Sequence, residues 1–423
     1  MSQQEITRCV KPYGQPIMKS PLVGSDKLFD KNGQQILFTH GEGYSVFDKN
    51  KNEYTDFVLG VGPVILGHSH EVFNAELSKA LSRGLSFPGF GMIHSQVSEV
   101  FESVYLGYKV VSLFKTSSEA VSASMRCAML ETGRKKIIRC GFLGWHDAQL
   151  ALSPGWHEKP GSEKRKQLRY TEGMRGVTNE EAVFNWIDGD LHSLKEILCA
   201  DGSEIALFAI DVYQLAFISE HTMKEAISLC REYGIRILLD ETKTAGRTNP
   251  GGYLANSDIL GDYIVLGKAI GNGLPLAILL GKPDILSVYR ESRIGGTHTK
   301  EVLSPLAAIM VKDIMEREGG YETLSDTGEK IILTLNSAFK EAEVSNLVRA
   351  KPLFCNTLFD LEFSDKVINN FKFRELLKTE FLSNRIILMQ GHNSFISLAH
   401  CHLDLNDFFH SAYLAAKNWG RSL

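Results

Sequence analysis

Ile235-Arg-Ile-Leu-Leu-Asp240 and Tyr263-Ile-Val-Leu-Gly-Lys268 decide how this chain folds. Each is a largely apolar run that stops at a charge, the pattern of a parallel strand buried on both faces. Open α/β sheets bind ligands beyond the carboxyl ends of such strands. Asp240 and Lys268 are therefore expected at one crevice. Around them the chain alternates. Val110–Phe114 reads as a strand before a helix at 118–133, Lys136–Arg139 as a strand before a loop, and Ile205–Ile210 as a strand before a helix at 221–233. Repeated βα alternation argues for an α/β fold, a mostly parallel central sheet with helices on both faces. Upstream, residues 36–59 read as a β-meander, followed by helices at 71–83 and 93–106. From about residue 304 a long helical stretch leads into a smaller α+β domain, with strand candidates at 351–362 and 385–399. The expected units are an N-terminal segment 1–66 packing with the small domain, a large α/β domain 67–313 and a small C-terminal domain 314–423.

Composition narrows the function. The 423 residues are 43% hydrophobic and 23% charged, with a net charge of −4. Those are globular values, without the basic footprint of a nucleic-acid binder. The basic cluster His157–Arg169 also contains acids, Pro and Gly, and reads as a solvated loop. Seven scattered cysteines fit a reducing compartment better than a disulfide framework. The start, Met1 to Arg8, has no apolar signal core, and no apolar stretch reaches about 18 residues. A cytoplasmic location away from membranes is expected. His68-Ser-His70 and His400-Cys-His402 each lack a nearby third ligand, so structural or capping histidines are expected rather than a metal site.

An amine and a carboxylate at one crevice suit a particular cofactor. Pyridoxal phosphate carries an aldehyde for a lysine and a ring nitrogen whose proton an acid can hold. Lys282 follows a similar apolar run and is a decoy. The stretch Gly261–Lys268 is no nucleotide loop: five residues separate its glycines, and Ala269 follows the lysine. Thr116-Ser-Ser-Glu119 follows a strand and opens a helix. It reads either as a cap or, beside Lys268 and Asp240, as a phosphate site at a helix N-terminus. Gly144-Trp-His-Asp147 follows the next strand, and Trp145 reads as core or as a face for a flat ring.

Several blocks carry a family resemblance. Asp240-Glu-Thr-Lys-Thr-Ala-Gly-Arg247 and Leu266-Gly-Lys-Ala-Ile-Gly-Asn-Gly-Leu-Pro-Leu276 resemble the aspartate and lysine blocks of class III (subgroup II, fold type I) aminotransferases. Val61-Gly-Pro-Val-Ile-Leu-Gly-His68 and Gly133-Arg-Lys-Lys-Ile-Ile138 resemble the glutamate-1-semialdehyde aminomutase branch. The resemblance runs in order over residues 40–310, with a weaker echo at Ile396–His400. It implies a pyridoxal-phosphate enzyme in which Lys268 is the Schiff-base lysine and proton shuttle, and Asp240 pairs with the pyridinium. Ser117 and Ser118 would hold the phosphate, Trp145 would replace the usual stacking Tyr, and Lys243 would stand near the ring. It also implies a homodimer with active sites at the interface, where one subunit lends the other a Thr. Both Thr297 and Thr299 are candidates.

Departures from the family pattern bear on substrate. Ser20-Pro-Leu-Val23 lacks the Arg with which the aminomutase binds its substrate carboxylate, and a carboxylate without that bidentate partner is poorly held. The loop Asp211–Ser219 is shortened. With Lys243, that loop resembles aminotransferases acting on amino-sugar aldehydes. The expected reaction moves an amino group, from glutamate as donor, to an aldehyde or ketone by a ping-pong mechanism. An aminomutase or racemase is the alternative. Asp147 and Asp211 are candidates for holding substrate ammonium groups, and Arg247 for holding a donor carboxylate or bracing the Asp240 loop.

Overall fold

The structure, a computed structural model, describes residues 28–146, 153–156, 160–168, 182–353, 355–389 and 393–422. Val23 and Asp147 lie outside them. The chain opens with strands β1 (Phe38–Glu42), β2 (Ser45–Asp48) and β3 (Glu53–Asp56), the expected antiparallel meander. Helices α1 (Glu71–Leu81) and α2 (Met92–Val104) follow. His70 caps α1, its ring nitrogen accepting from Phe73 N at 3.4 Å. His68 instead meets Asp56 at 2.9 Å. These are the structural histidine roles expected from the sequence.

The central sheet contains β4 (Lys109–Phe114), β5 (Lys136–Cys140), β6 (Val183–Asn185), β7 (Ile205–Asp211), β8 (Arg236–Asp240), β9 (Tyr263–Leu266) and β10 (Ala277–Gly281), in the order β4-β10-β9-β8-β7-β5-β6. All run parallel except β10, which pairs antiparallel with both neighbours. Helix α3 (Ser117–Thr132) covers one face. There Leu207, Ala209, Leu238 and Val265 pack with Val121 and Cys127. The alternate residues Phe208, Ile210, Ile237 and Leu239 face α2 and two further helices, α4 (Leu191–Asp201) and α5 (Glu220–Glu232). Burial on both faces explains why these strands read as unbroken apolar runs.

The remaining chain holds α6 (Leu303–Arg317), α7 (Gly320–Glu341), β11 (Val348–Leu353), β12 (Cys355–Phe363), α8 (Phe371–Ser383), β13 (Ile386–Ile387), β14 (Ser394–Phe395) and α9 (Leu405–Gly420). The single strand expected at 351–362 is in fact a hairpin, β11 against β12. Its apolar run continues through Leu353-Phe-Cys355, so no polar turn residue marks the reversal. The strand expected at 385–399 also divides. β13 joins β3 in parallel, while β14 joins β12 antiparallel. Phe57, just past β3, packs with Phe359 and Phe408, rings 5.7 and 5.5 Å apart. No described helix is long and apolar enough to cross a membrane.

Candidate active site

The parallel strands deliver their carboxyl ends to one edge of the sheet. Phe114 leads there into Lys115–Ser118, Cys140 into Phe142–Gly144, and β7 and β8 stop at Asp211 and Asp240. Because β10 runs the other way, its entry, Leu274-Pro-Leu276, meets the same edge. These segments and Lys268 enclose a cavity of about 320 Å³, within the range of small-ligand sites.

Lys268 follows β9 by two residues and sits at φ 49°, the left-handed region that costs a non-glycine residue energy. Gly267 before it is forced: a Cβ there would run into Ser117 Oγ. The Lys268 amine lies 5.8 Å from the centre of the Phe395 ring. Burial, then the charges of Lys243 and Arg247, pull its pKa down to about 7, against the opposing pull of Asp211 and Asp240.

Asp211 and Asp240 are register partners on neighbouring strands. Asp240 accepts from Thr242 N at 2.9 Å and from the Thr242 hydroxyl. Burial, with the Asp211 charge adding to it, pushes the Asp240 carboxyl up to about 7. Asp211 has a cation of its own. Lys243 Nζ donates to its Oδ2 at 2.7 Å and lies 4.5 Å from the centre of the Tyr213 ring. Both side chains of that pair are about 95% or more buried, with 5% and 3% exposure. Asp211, a candidate for holding a substrate ammonium, lines the cavity but is already ion-paired with Lys243. Asp147, the other candidate, lies outside the described residues.

The cap reading of the 116–119 turn holds at the start of α3. Thr116 is the cap: its hydroxyl accepts from Glu119 N at 3.4 Å, and Glu119 accepts from Thr116 N at 2.8 Å. Ser117 and Ser118 open the first turn of that helix, where backbone amides point outward from the helix start. Both serines line the cavity, and the Ser118 hydroxyl accepts from Trp145 N at 3.3 Å. The indole of Trp145 is not brought in. It is 64% exposed and packs edge-on against His146, 4.9 Å away. Phe142 is the aromatic residue that lines the cavity.

Thr297 and Thr299 stand apart from Lys268. They occupy the turn Thr297–Lys300 and line a neighbouring cleft of about 450 Å³ with Arg126 and Arg293; Lys115 borders both spaces. Lys282 is removed from the site, ion-paired with Asp262 at 3.0 Å. Arg247 is fully buried. Its Nε donates to Lys243 O at 2.9 Å and its Nη2 to Gly62 O, so it does brace the loop after Asp240. Sequence reasoning missed Lys115 and Phe395. Lys115 directly follows an apolar strand, the signal that marked Lys268. Phe395 arrives from the far end of the chain, without any local signal.

Pyridoxal phosphate makes three demands that these residues meet. A phosphate suits the start of α3. A protonated ring nitrogen suits Asp240, a buried carboxylate with no ion-pair partner among the described residues. An aldehyde suits an amine held near neutrality, which Lys268 is. Comparison with known proteins agrees. The family model of class-III aminotransferases matches residues 28–402. Glutamate-1-semialdehyde 2,1-aminomutase of Desulfitobacterium hafniense is 27% identical over 366 residues, covering 82% of this chain and 80% of that one. The 2'-deamino-2'-hydroxyneamine transaminase of Streptomyces kanamyceticus is 25% identical, covering 74% and 76%. Among solved structures, an omega-transaminase from Sphaerobacter thermophilus shares the fold, with a TM-score of 0.80, 18% identity and coverage of 99% and 96%. The chain thus belongs to the class-III aminotransferases, enzymes of fold type I whose cofactor is pyridoxal phosphate.

Proposed function

We propose that this enzyme moves an amino group from glutamate to an aldehyde or ketone of a specialised metabolite such as an amino sugar, in two ping-pong half-reactions. The observation that carries the reading is the meeting of Lys268 and Asp240 in one buried cavity, with the amine near neutrality. When bound, the cofactor supplies a carbonyl for amines and a ring that takes up electrons from the carbon bearing the amino group. Lys268 is the anchoring amine, and once released it is a neutral base at physiological pH, able to move the proton of that carbon. Asp240 holds the ring nitrogen protonated. Ser117 and Ser118 hold the phosphate, Lys243 stands beside the ring, and Trp145 acts through its backbone. Thr297 or Thr299 reaches the phosphate of the other subunit in a homodimer. The units 1–66, 67–313 and 314–423 are proposed as its domains.

The amino-sugar assignment draws on the similarity to the Streptomyces kanamyceticus transaminase and on Val23, where the aminomutase branch has its Arg. Closing a site on a carboxylate without a charged partner costs several kcal/mol, roughly. A neutral or cationic polyhydroxy aldehyde avoids that cost. The similarity to the Desulfitobacterium hafniense aminomutase favours the second reading, an aminomutase that keeps the amine on its substrate. The test is a side-by-side assay of glutamate-1-semialdehyde against sugar and alkyl aldehydes with glutamate. Release of 2-oxoglutarate with the aldehydes is expected. Efficient formation of 5-aminolevulinate instead would overturn the proposal in favour of the aminomutase.

A further inference from the structure

The charges around the Lys268 amine are unevenly matched. From the end of β7 comes Asp211, and from the end of β8 comes Asp240. Lys243 and Arg247 follow on the next turn of chain, and Lys115 borders the cavity from beyond β4. Two of the three neighbouring cations are spoken for: Lys243 by Asp211 at 2.7 Å, and Lys115 by Glu301 at 2.5 Å. Arg247 has no carboxylate partner among the described residues. Its Nε and Nη2 bond carbonyl oxygens, and its Nη1 is buried with no hydrogen-bond partner among the described residues. The guanidinium stacks 4.9 Å from the centre of the Phe395 ring, the ring that the Lys268 amine also faces at 5.8 Å.

A buried guanidinium is an unusual brace. A neutral side chain could donate to the same two carbonyls without bringing an unpaired charge inside, where leaving a charge uncompensated is expensive. The position of that charge, against the same ring as Lys268, which has no carboxylate within ion-pair distance among the described residues, supplies a reason. We propose that Arg247 is a positioning residue whose uncompensated charge, held against the same Phe395 ring as the Lys268 amine, poises that amine to take a proton. Burial leaves Arg247 itself with a pKa of about 10, so it is cationic at neutral pH. Its repulsion adds to that of Lys243 in lowering the pKa of Lys268. Both groups are buried, which keeps the interaction from being screened as it would be at a surface.

This inference rests on the reading of Lys268 as the reactive amine, and the experiment separates the two. The full chain is loaded with pyridoxamine 5'-phosphate, which leaves Lys268 free. Competitive labelling with acetic anhydride from pH 5 to 11, read by peptide mass spectrometry, then gives the titration midpoint of Lys268. In wild type it should lie well below that of an ordinary lysine. In Arg247→Gln, which can still donate to Gly62 O and Lys243 O, it should rise by about one pH unit or more, about a fivefold loss of neutral amine at pH 7 from a midpoint near 7. Arg247→Lys should keep it near the wild-type value. A midpoint unchanged in Arg247→Gln, even with a lower melting temperature, would reduce Arg247 to a brace and overturn the inference. So would an ordinary midpoint in wild type, which needs no variant to fold. Borohydride reduction of the pyridoxal-phosphate form tests the parent reading separately: label on a lysine other than Lys268 sinks that reading, whatever the midpoint.

Discussion

Replacing Lys243 with Met removes the cation from a pair that is almost wholly buried. Asp211 then stands at the end of β7 with its 2.7 Å partner gone and Asp240 beside it in register. Breaking a buried pair from one side costs about 3–5 kcal/mol, because the surviving charge is left uncompensated. The loss reaches Asp240 too. Lys243 is one of the influences that hold the Asp240 carboxyl down, whereas Asp211 pushes it up. Without the lysine the carboxyl rises further above about 7, and it becomes a weaker partner for a protonated ring nitrogen. Lys243→Met should therefore unfold at lower urea concentration and release pyridoxal phosphate more readily on dialysis, followed by visible absorbance. The decisive assay is a double-mutant cycle. Lys243→Met/Asp211→Asn removes both charges, so it should recover much of the lost stability, with a coupling of about 2 kcal/mol or more. Strictly additive losses, or a single mutant within about 0.5 kcal/mol of wild type, would refute the reasoning.

Lys268→Ala should abolish turnover while cofactor phosphate binding at Ser117 and Ser118 persists, which equilibrium dialysis against pyridoxal phosphate would measure; borohydride should label Lys268 in wild type and never Lys282. Asp240→Asn should keep the fold, checked by circular dichroism, and lose about three orders of magnitude in rate, ~4 kcal/mol of transition-state stabilisation; near-normal turnover would assign the ring nitrogen to another residue. The cofactor-free chain should lose stability as pH rises from 5 to 7. Asp240 and Glu241, raised to about 7 by burial, and Asp360, raised to about 6, each hold a proton in the fold that the unfolded chain has already released there. Thermal midpoints across that range check the sign, and Asp240→Asn should flatten part of the slope.

The central sheet was legible because its signal is local. A strand buried on both faces must be apolar throughout, and the charge that ends it marks the sheet edge. That is why Asp240 and Lys268 could be paired from the sequence, and why the cap and the phosphate readings of Thr116–Glu119 could both be written down. The C-terminal strands resisted for the opposite reason. β13 and β14 are two residues long and belong to different sheets, so their pairing lies in contacts with β3 and β12 rather than in any periodicity. Trp145 shows a third case. Its place after a strand was legible, yet the direction of its side chain was not, and Phe142 lines the cavity instead.

By itself, the sequence determined the family, the sheet and the two residues facing its crevice, since ordered motifs and strand ends are properties of the chain taken a few residues at a time. Only the tertiary structure decided the charge state of that crevice. Lys243 and Asp211 are 32 residues apart, and Phe395 comes from the far end of the chain to meet both Lys268 and Arg247. Burial and charge act through space, so the neutrality of Lys268 is set by neighbours that no spacing along the chain reveals.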